Sequence, residues 1–196
     1  MIRFDRVRFS YGDKTVLREA SFQIGDGEHV AIQGASGCGK TTLLRLVLGL
    51  ERPESGTVTV SATRRAVLFQ EDRLLPYLSV AKNCELFTAD RASVRPMLRS
   101  LALEEAADVL PSALSGGMAR RAALARALCH GGELYLLDEP FNGLDGDNVE
   151  RCAKEILHVT KDKTLLVITH HESEAELLRC KEKQLCIADS RISTLL

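Results

Sequence analysis

The stretch Gly34-Ala35-Ser36-Gly37-Cys38-Gly39-Lys40-Thr41-Thr42 has residue types and a spacing suited to one chemistry, the capture of a polyphosphate. It fits the pattern G-x-x-x-x-G-K-[ST] in full, with the β-rich run His29–Gln33 before it and a helix-forming run after it. Glycines let the backbone curl until successive N–H groups point at phosphate oxygens, and a helix N-terminus adds a favourable dipole. In that geometry Lys40 reaches the β- and γ-phosphates, Thr41 ligates Mg²⁺ and Thr42 meets the α-phosphate. The expected ligand is ATP with Mg²⁺.

A second run, Leu134-Tyr135-Leu136-Leu137-Asp138-Glu139, is an apolar strand that ends in two carboxylates. Ligands of open parallel sheets gather at the carboxyl ends of the strands. Asp138 is therefore placed to hold Mg²⁺ through water. Glu139 is placed to orient the attacking water or to accept its proton. Gln70 and His170 each follow an apolar run, Ala66–Phe69 and Thr164–Ile168, and would emerge at the same edge of the sheet. One polar residue at a strand end is ordinarily just solvated. Two of them beside a phosphate loop point to sensing of the γ-phosphate.

Leu114-Ser115-Gly116-Gly117 precedes a helical run, Ala119–Leu128, that carries Arg120, Arg121 and Arg126. Ser115 can cap the helix and bond an anion, and paired glycines allow close backbone approach to its N-terminus. This is a second phosphate-binding device, yet the first loop already cradles one face of the triphosphate. The economical reading is that Ser115, Gly116 and Gly117 meet the γ-phosphate of a nucleotide held by another copy of the chain.

The elements that position these residues alternate. Strand-like runs at Ile2–Phe9, Ala20–Ile24 and His29–Gln33 lead into a helix, Thr41–Leu50, that stops at Gly49. Thr57–Val60 and Ala66–Phe69 read as strands, after which residues 71–113 carry helix formers, no glycine and three prolines. The alternation then resumes with Leu134–Leu137, the amphipathic Asn148–Thr160, Thr164–Ile168 and the helical Glu172–Cys180, before Lys183–Ile187 and Arg191–Leu195. Strands alternating with helices predict an α/β fold around a mostly parallel sheet covered on both faces. An antiparallel β region lies N-terminal, and a small helical subdomain is inserted at about 71–114 of a single domain, 1–196.

Composition narrows the function. The 196 residues are 45% hydrophobic and 27% charged, with a formal net charge of -1 and no basic block, so a nucleic-acid partner is not indicated. Six cysteines form neither a CxxC pair nor a metal-ligand cluster and read as small buried hydrophobes in a reducing compartment. No run of about 18 apolar residues occurs, so any membrane-spanning work falls to another chain. The expected location is cytoplasmic.

In their order, these motifs resemble those of the ATP-binding-cassette (ABC) ATPases. The likeness spans essentially the whole chain: Tyr11, the loop Gly34–Thr42, Gln70, Leu114–Gly117, Asp138-Glu139, the turn Asn142-Gly143-Leu144-Asp145 and His170. It implies Tyr11 as the adenine-stacking aromatic, Gln70 as the residue joining the lobes and as a further Mg²⁺ ligand, Asp145 as a nucleotide-site residue, and His170 as a switch beside Glu139 and Lys40. It also implies two cassettes closing head-to-tail on two ATP molecules, as a homodimer. The helical subdomain then grips a membrane permease from the inner face of the cell membrane. Met118 stands where the family usually has Gln, His171 replaces a common Asp, and residues 60–66 are shorter than usual.

The stretch Gln70–Val80 is similar to that of bacterial nitrate, sulfonate and taurine importer cassettes, which implies an importer of small anions served by a solute-binding protein. Leu74, Leu75, Tyr77 and Leu78 are candidates for a groove that takes a permease helix, with Leu75 and Tyr77 as the exposed pair. A soluble ATPase acting without a permease is the alternative. Ser115-Gly116-Gly117 and His170 argue against a kinase or GTPase.

Overall fold

The computed structural model describes residues 1–180, 184–188 and 190–195. In chain order the first elements are β1 (Ile2–Tyr11), β2 (Lys14–Ile24), β3 (His29–Gly34), α1 (Lys40–Leu48), β4 (Ser55–Val60) and β5 (Arg65–Leu68). Next come α2 (Val80–Glu85), α3 (Val94–Ser100), α4 (Gly116–His130) and β6 (Leu134–Asp138). The chain closes with α5 (Gly146–Val159), β7 (Thr164–Ile168), α6 (Glu172–Leu177), β8 (Gln184–Ala188) and β9 (Arg191–Leu195). Lys183, expected in the penultimate strand, lies outside the described residues.

β1 and β2 form a hairpin with Tyr11 opposite Lys14 across the turn Gly12-Asp13, and β4 pairs with the other edge of β1. Gly12 adopts φ 56°, the left-handed conformation that two-residue hairpin turns demand. β2 therefore begins at Lys14 rather than at Ala20. A Gly-Asp pair between two β-rich runs is the local signal for that turn.

The second sheet has the order β5-β6-β7-β3-β8-β9, parallel except for the antiparallel β8–β9 pair. Every residue of β6 and β7 is buried, as expected of central parallel strands. Their side chains alternate between two cores. Leu134, Leu136, Leu166 and Ile168 join Val30 and Ile32 against α1 and the antiparallel sheet, while Tyr135, Leu137, Leu165 and Val167 join Ala31 against α4 and α5. α1 is stopped by Gly49, whose left-handed φ of 73° lets its N–H bond the carbonyls of Arg45 and Leu46. The α/β architecture with an antiparallel N-terminal region is as read from sequence.

The segment between β5 and α4 is helical only in part. Residues 71–79 form a loop, and the first helix starts at Val80 with Ser79 as its cap. Pro76 lacks an N–H and biases Leu75 away from helical backbone, which explains the delay. The loop is instead held by Asn83, fully buried on α2. Its Oδ1 accepts from Leu75 N at 2.7 Å, and its Nδ2 donates to the carbonyls of Leu75 (3.1 Å), Leu78 (2.9 Å) and Ser79 (3.1 Å). Leu74 and Leu78 are half-buried, whereas Leu75 is 37% and Tyr77 90% exposed. Among the five described cysteine side chains, Cys84, Cys129, Cys152 and Cys180 are buried and Cys38 is half-buried. Among the described residues, no helix is long and apolar enough to cross a membrane.

Replacing Asn83 with Ala strands an amide and several carbonyls at once. The expected loss is about 1–3 kcal/mol of unfolding free energy, the usual penalty for buried polar groups left without partners. Urea melts of Asn83→Ala against the native protein measure it, and an unchanged midpoint would show that the loop does not depend on this side chain.

Candidate functional site

The phosphate-loop residues lie between β3 and α1, as their sequence demands. Gly34 ends β3 at φ 146°, and a Cβ there would lie 2.6 Å from Cys38 Sγ and 2.7 Å from the Ile187 carbonyl oxygen. Gly39 precedes α1 at φ 116°, where a Cβ would lie 2.6 Å from Val16 Cγ1. Both positions therefore exclude any side chain. Lys40 is 7% exposed and folds across the loop, its Nζ donating to the carbonyls of Gly34 (2.8 Å) and Ala35 (2.9 Å).

The strand ends supply the acidic partners. Thr41 Oγ1 donates to Asp138 Oδ2 at 3.2 Å, joining the first turn of α1 to the end of β6. Asp138 is 2% exposed, and burial raises its pKa; the negative charge of Glu139 adds to the rise, while the Thr41 hydrogen bond, Arg120 and Lys40 oppose it. Glu139 turns out of the sheet at φ 49°, a left-handed conformation uncommon for its residue type, and its N–H donates to Ile168 O at 2.9 Å. Its Oε1 lies 3.0 Å from Nε2 of His170. Thr169, buried beside His170, accepts from His171 N at 3.1 Å and donates to the Glu174 carboxylate. His171 caps α6 without a side-chain bond.

These groups share one cleft of about 210 Å³. Its walls include Tyr11, Ser36, Gly37, Gly39, Lys40, Thr41 and Thr42 on one side, with Gln70, Asp138, Glu139 and His170 on the other. Gly34, Ala35 and Cys38 build the loop without lining the cleft. Lys14 and Val16 also line it and were not read from sequence; the Gly12-Asp13 turn places Lys14 opposite Tyr11 and was the available signal.

The remaining predicted residues lie elsewhere. Ser115 caps α4 by accepting from Met118 N at 3.3 Å, and Gly116 and Gly117 form the first turn. Gly117 packs against the turn at Gly143-Leu144, beyond β6, where a Cβ on it would lie 3.3 Å from the Gly143 carbonyl oxygen. Asp145 caps α5: it accepts from Asn148 N at 2.9 Å and from Asn148 Nδ2 at 3.0 Å on both oxygens, and the bond from the Asn148 N–H heads the causes that hold its pKa below the usual range. None of these four side the cleft.

The arginines after the glycine pair point inward. Arg121 donates to the carbonyls of Leu101 (2.7 Å) and Ala102 (3.0 Å), and Arg126 to those of Arg73 (2.6 Å) and Asp72 (2.8 Å). Arg120 reaches the ends of both β5 and β6. Sequence offered no local sign of these contacts, because the acceptors lie far along the chain.

A family model described as "ABC transporter" matches residues 17–142. The chain belongs to that family. It is 42% identical over 178 residues to the aliphatic sulfonates import ATP-binding protein SsuB 2 of Burkholderia cenocepacia (strain HI2424), a match covering 84% of this chain. The chain spans 66% of that relative's length, just under two thirds. Its fold is that of the ABC transporter cassette MJ0796, solved as a dimer, with 27% identity, a TM-score of 0.87 and coverage of 98% of this chain and 97% of the other. The same cassette in a dimeric post-hydrolysis state bound to ADP and Pi gives 26% identity and a TM-score of 0.85, again with 98% and 97% coverage.

The raised pKa of Asp138 means that the folded chain holds this proton more tightly than the unfolded chain does. Without a bound cation, the stability tied to that proton is complete below the unfolded value of about 3.9 and is lost as pH rises through the raised folded value. Asp138→Asn removes this dependence. Denaturant melts in EDTA across acid to neutral pH are expected to show the variant gaining on the native protein as pH rises. Parallel profiles would show that the carboxylate is not desolvated.

Proposed function

We propose that this chain is the ATP-binding and ATP-hydrolysing subunit of a transporter. Two copies would close head-to-tail on ATP and Mg²⁺ to drive a membrane permease. One observation carries the reading: Lys40, Thr41, Asp138 and the Glu139–His170 pair converge on a single cleft. Family membership and the likeness to dimeric cassettes support it.

Each group has a role. The loop amides of residues 34–42 and the Lys40 ammonium hold the phosphates, and the exposed Tyr11 ring at the mouth offers a face for adenine. Thr41 and Asp138 are hard oxygen donors 3.2 Å apart, and Gln70 adds an amide oxygen. One carboxylate plus substrate phosphates is a usual Mg²⁺ environment, and a buried carboxylate with a raised pKa gains from a cation. Bound there, Mg²⁺ would neutralise charge on the β- and γ-phosphate oxygens. Glu139 accepts the proton of the water that attacks the γ-phosphorus as the bond to the β-phosphate oxygen breaks. His170, hydrogen-bonded to Glu139, orients that carboxylate and faces the γ-phosphate.

Ser115, Gly116, Gly117 and Asp145 stand apart from the chain's own cleft, which supports their serving the partner's nucleotide. The segment 71–114 is the inserted subdomain of one ATPase domain, and its exposed Leu75 and Tyr77 fit a permease helix. The protein would sit on the cytoplasmic face of the membrane. The sulfonate-import name of its relative supports import of small organic anions delivered by a solute-binding protein.

The two-chain site is tested by mixing Lys40→Ala with Ser115→Arg protein. Each alone should be nearly inactive, since both composite sites of its homodimer are damaged. A mixed dimer carries both defects in one site and leaves the other intact, so ATPase activity should reappear. No recovery, with mixed dimers demonstrated by cross-linking, overturns the shared site. In the same assay Glu139→Gln should bind ATP but turn over more slowly by on the order of 10²–10⁴-fold.

A further inference from the structure

Arg120 does not line the cleft, yet it bonds both strand ends that do. The β5–β6 ladder closes at the pair Leu68–Leu137. Beyond it the two strands part, and the Arg120 guanidinium, 3% exposed, fills the fork between them. Nη1 donates to the carbonyls of Phe69 (2.8 Å) and Gln70 (3.2 Å) and to Asp72 Oδ1 (3.0 Å). Nη2 donates to the Asp138 carbonyl and to that of Glu139 at 2.8 Å, which Nε also reaches at 3.2 Å. A planar fork of five N–H groups can bridge acceptors on two strands at fixed angles; an ammonium is a point charge without that reach.

Two consequences follow from which carbonyls are held. Gln70, Asp138 and Glu139, whose carbonyls Arg120 holds, are also the residues that line the cleft from these strand ends. Glu139 is also in left-handed backbone, which persists only where the surroundings over-determine it. Arg120 itself belongs to α4, the helix that Ser115 caps and that opens with Gly116 and Gly117. Arg126, on the same helix, holds the carbonyls of Asp72 and Arg73 and extends the attachment along the Gln70 loop.

We propose that Arg120 is a positioning residue for ATP hydrolysis, a role that rests on the ATPase reading above. It fixes the Gln70 amide and the Glu139 carboxylate relative to one another and ties both to α4. The loop Ser115–Gly117, offered to the partner's nucleotide, is thereby linked through α4 to this chain's own water-activating carboxylate.

Arg120→Lys keeps the charge and much of the bulk but loses the fork. Turnover at high protein concentration is expected to fall about tenfold or more while the KM for ATP stays within about threefold, because the phosphate loop and Tyr11 are untouched. Hydrogen exchange should quicken in residues 69–74 and 138–142 and stay unchanged in 34–42. A fall in turnover that only tracks the folded fraction, measured by circular dichroism, overturns the proposal. If Arg120→Lys does not fold, Arg120→Gln, which can still bond one strand end, is read in the same way. Turnover that depends on Glu139 yet is unchanged by Arg120→Lys overturns the role of Arg120 alone. Turnover that survives Glu139→Gln overturns the ATPase reading itself.

Discussion

Parallel pairing of β6, β7 and β3 is the constraint from which the rest of the site follows. Asp138 stands opposite Ile168, and Ile168 beside Ile32, so the β6–β7 and β7–β3 ladders close in one row. Whatever follows that row emerges at one edge: Glu139 after β6, His170 after β7 and the phosphate loop after β3. A slip of one residue in any pair would turn its side chains to the opposite face of the sheet. The buried alternation of Leu134, Leu136, Leu166 and Ile168 against Tyr135, Leu137, Leu165 and Val167 makes such a slip costly on both faces at once.

The site that this edge creates is locally unfavourable. A carboxylate at Asp138 is desolvated, Glu139 is held in left-handed backbone, and Lys40 is buried against carbonyls of its own loop. A backbone strain such as that at Glu139 costs on the order of 1–3 kcal/mol and needs support from elsewhere. Two cores, one on each face of the central sheet, provide it. The same features suit a ligand that brings both negative charge for the loop and a cation for Asp138, so binding relieves what folding left unbalanced.

α4 joins the parts that the sheet does not. Its N-terminus presents Ser115 and the glycine pair, its middle buries Ala122, Ala123, Leu124 and Ala125, and its arginines grip strand ends and loop carbonyls. In sequence these arginines look like an extension of the anion-binding loop. In the fold they are internal fasteners, and the exposed apolar pair Leu75–Tyr77 sits on the very loop that Arg126 and Asn83 secure. That secured stretch of chain begins next to Gln70 in the cleft.

The residues of the cleft were legible in the sequence because their signals are local. Glycines at positions 34 and 39, the Lys40-Thr41 step and an apolar run closing on Asp138-Glu139 each specify backbone and chemistry within a few residues, and the parallel sheet follows from the alternation of such runs. The left-handed stop at Gly49 was legible for the same reason. Tertiary structure decided what depends on distant partners. Lys14 and Val16 became cleft walls only once the Gly12-Asp13 hairpin folded back, and residues 71–79 stayed out of helix because Pro76 and the remote amide of Asn83 hold them. Arg120, Arg121 and Arg126 found carbonyl acceptors on other elements, because a buried guanidinium takes whatever lone pairs the packed chain brings within reach, and no spacing along the sequence encodes which those are.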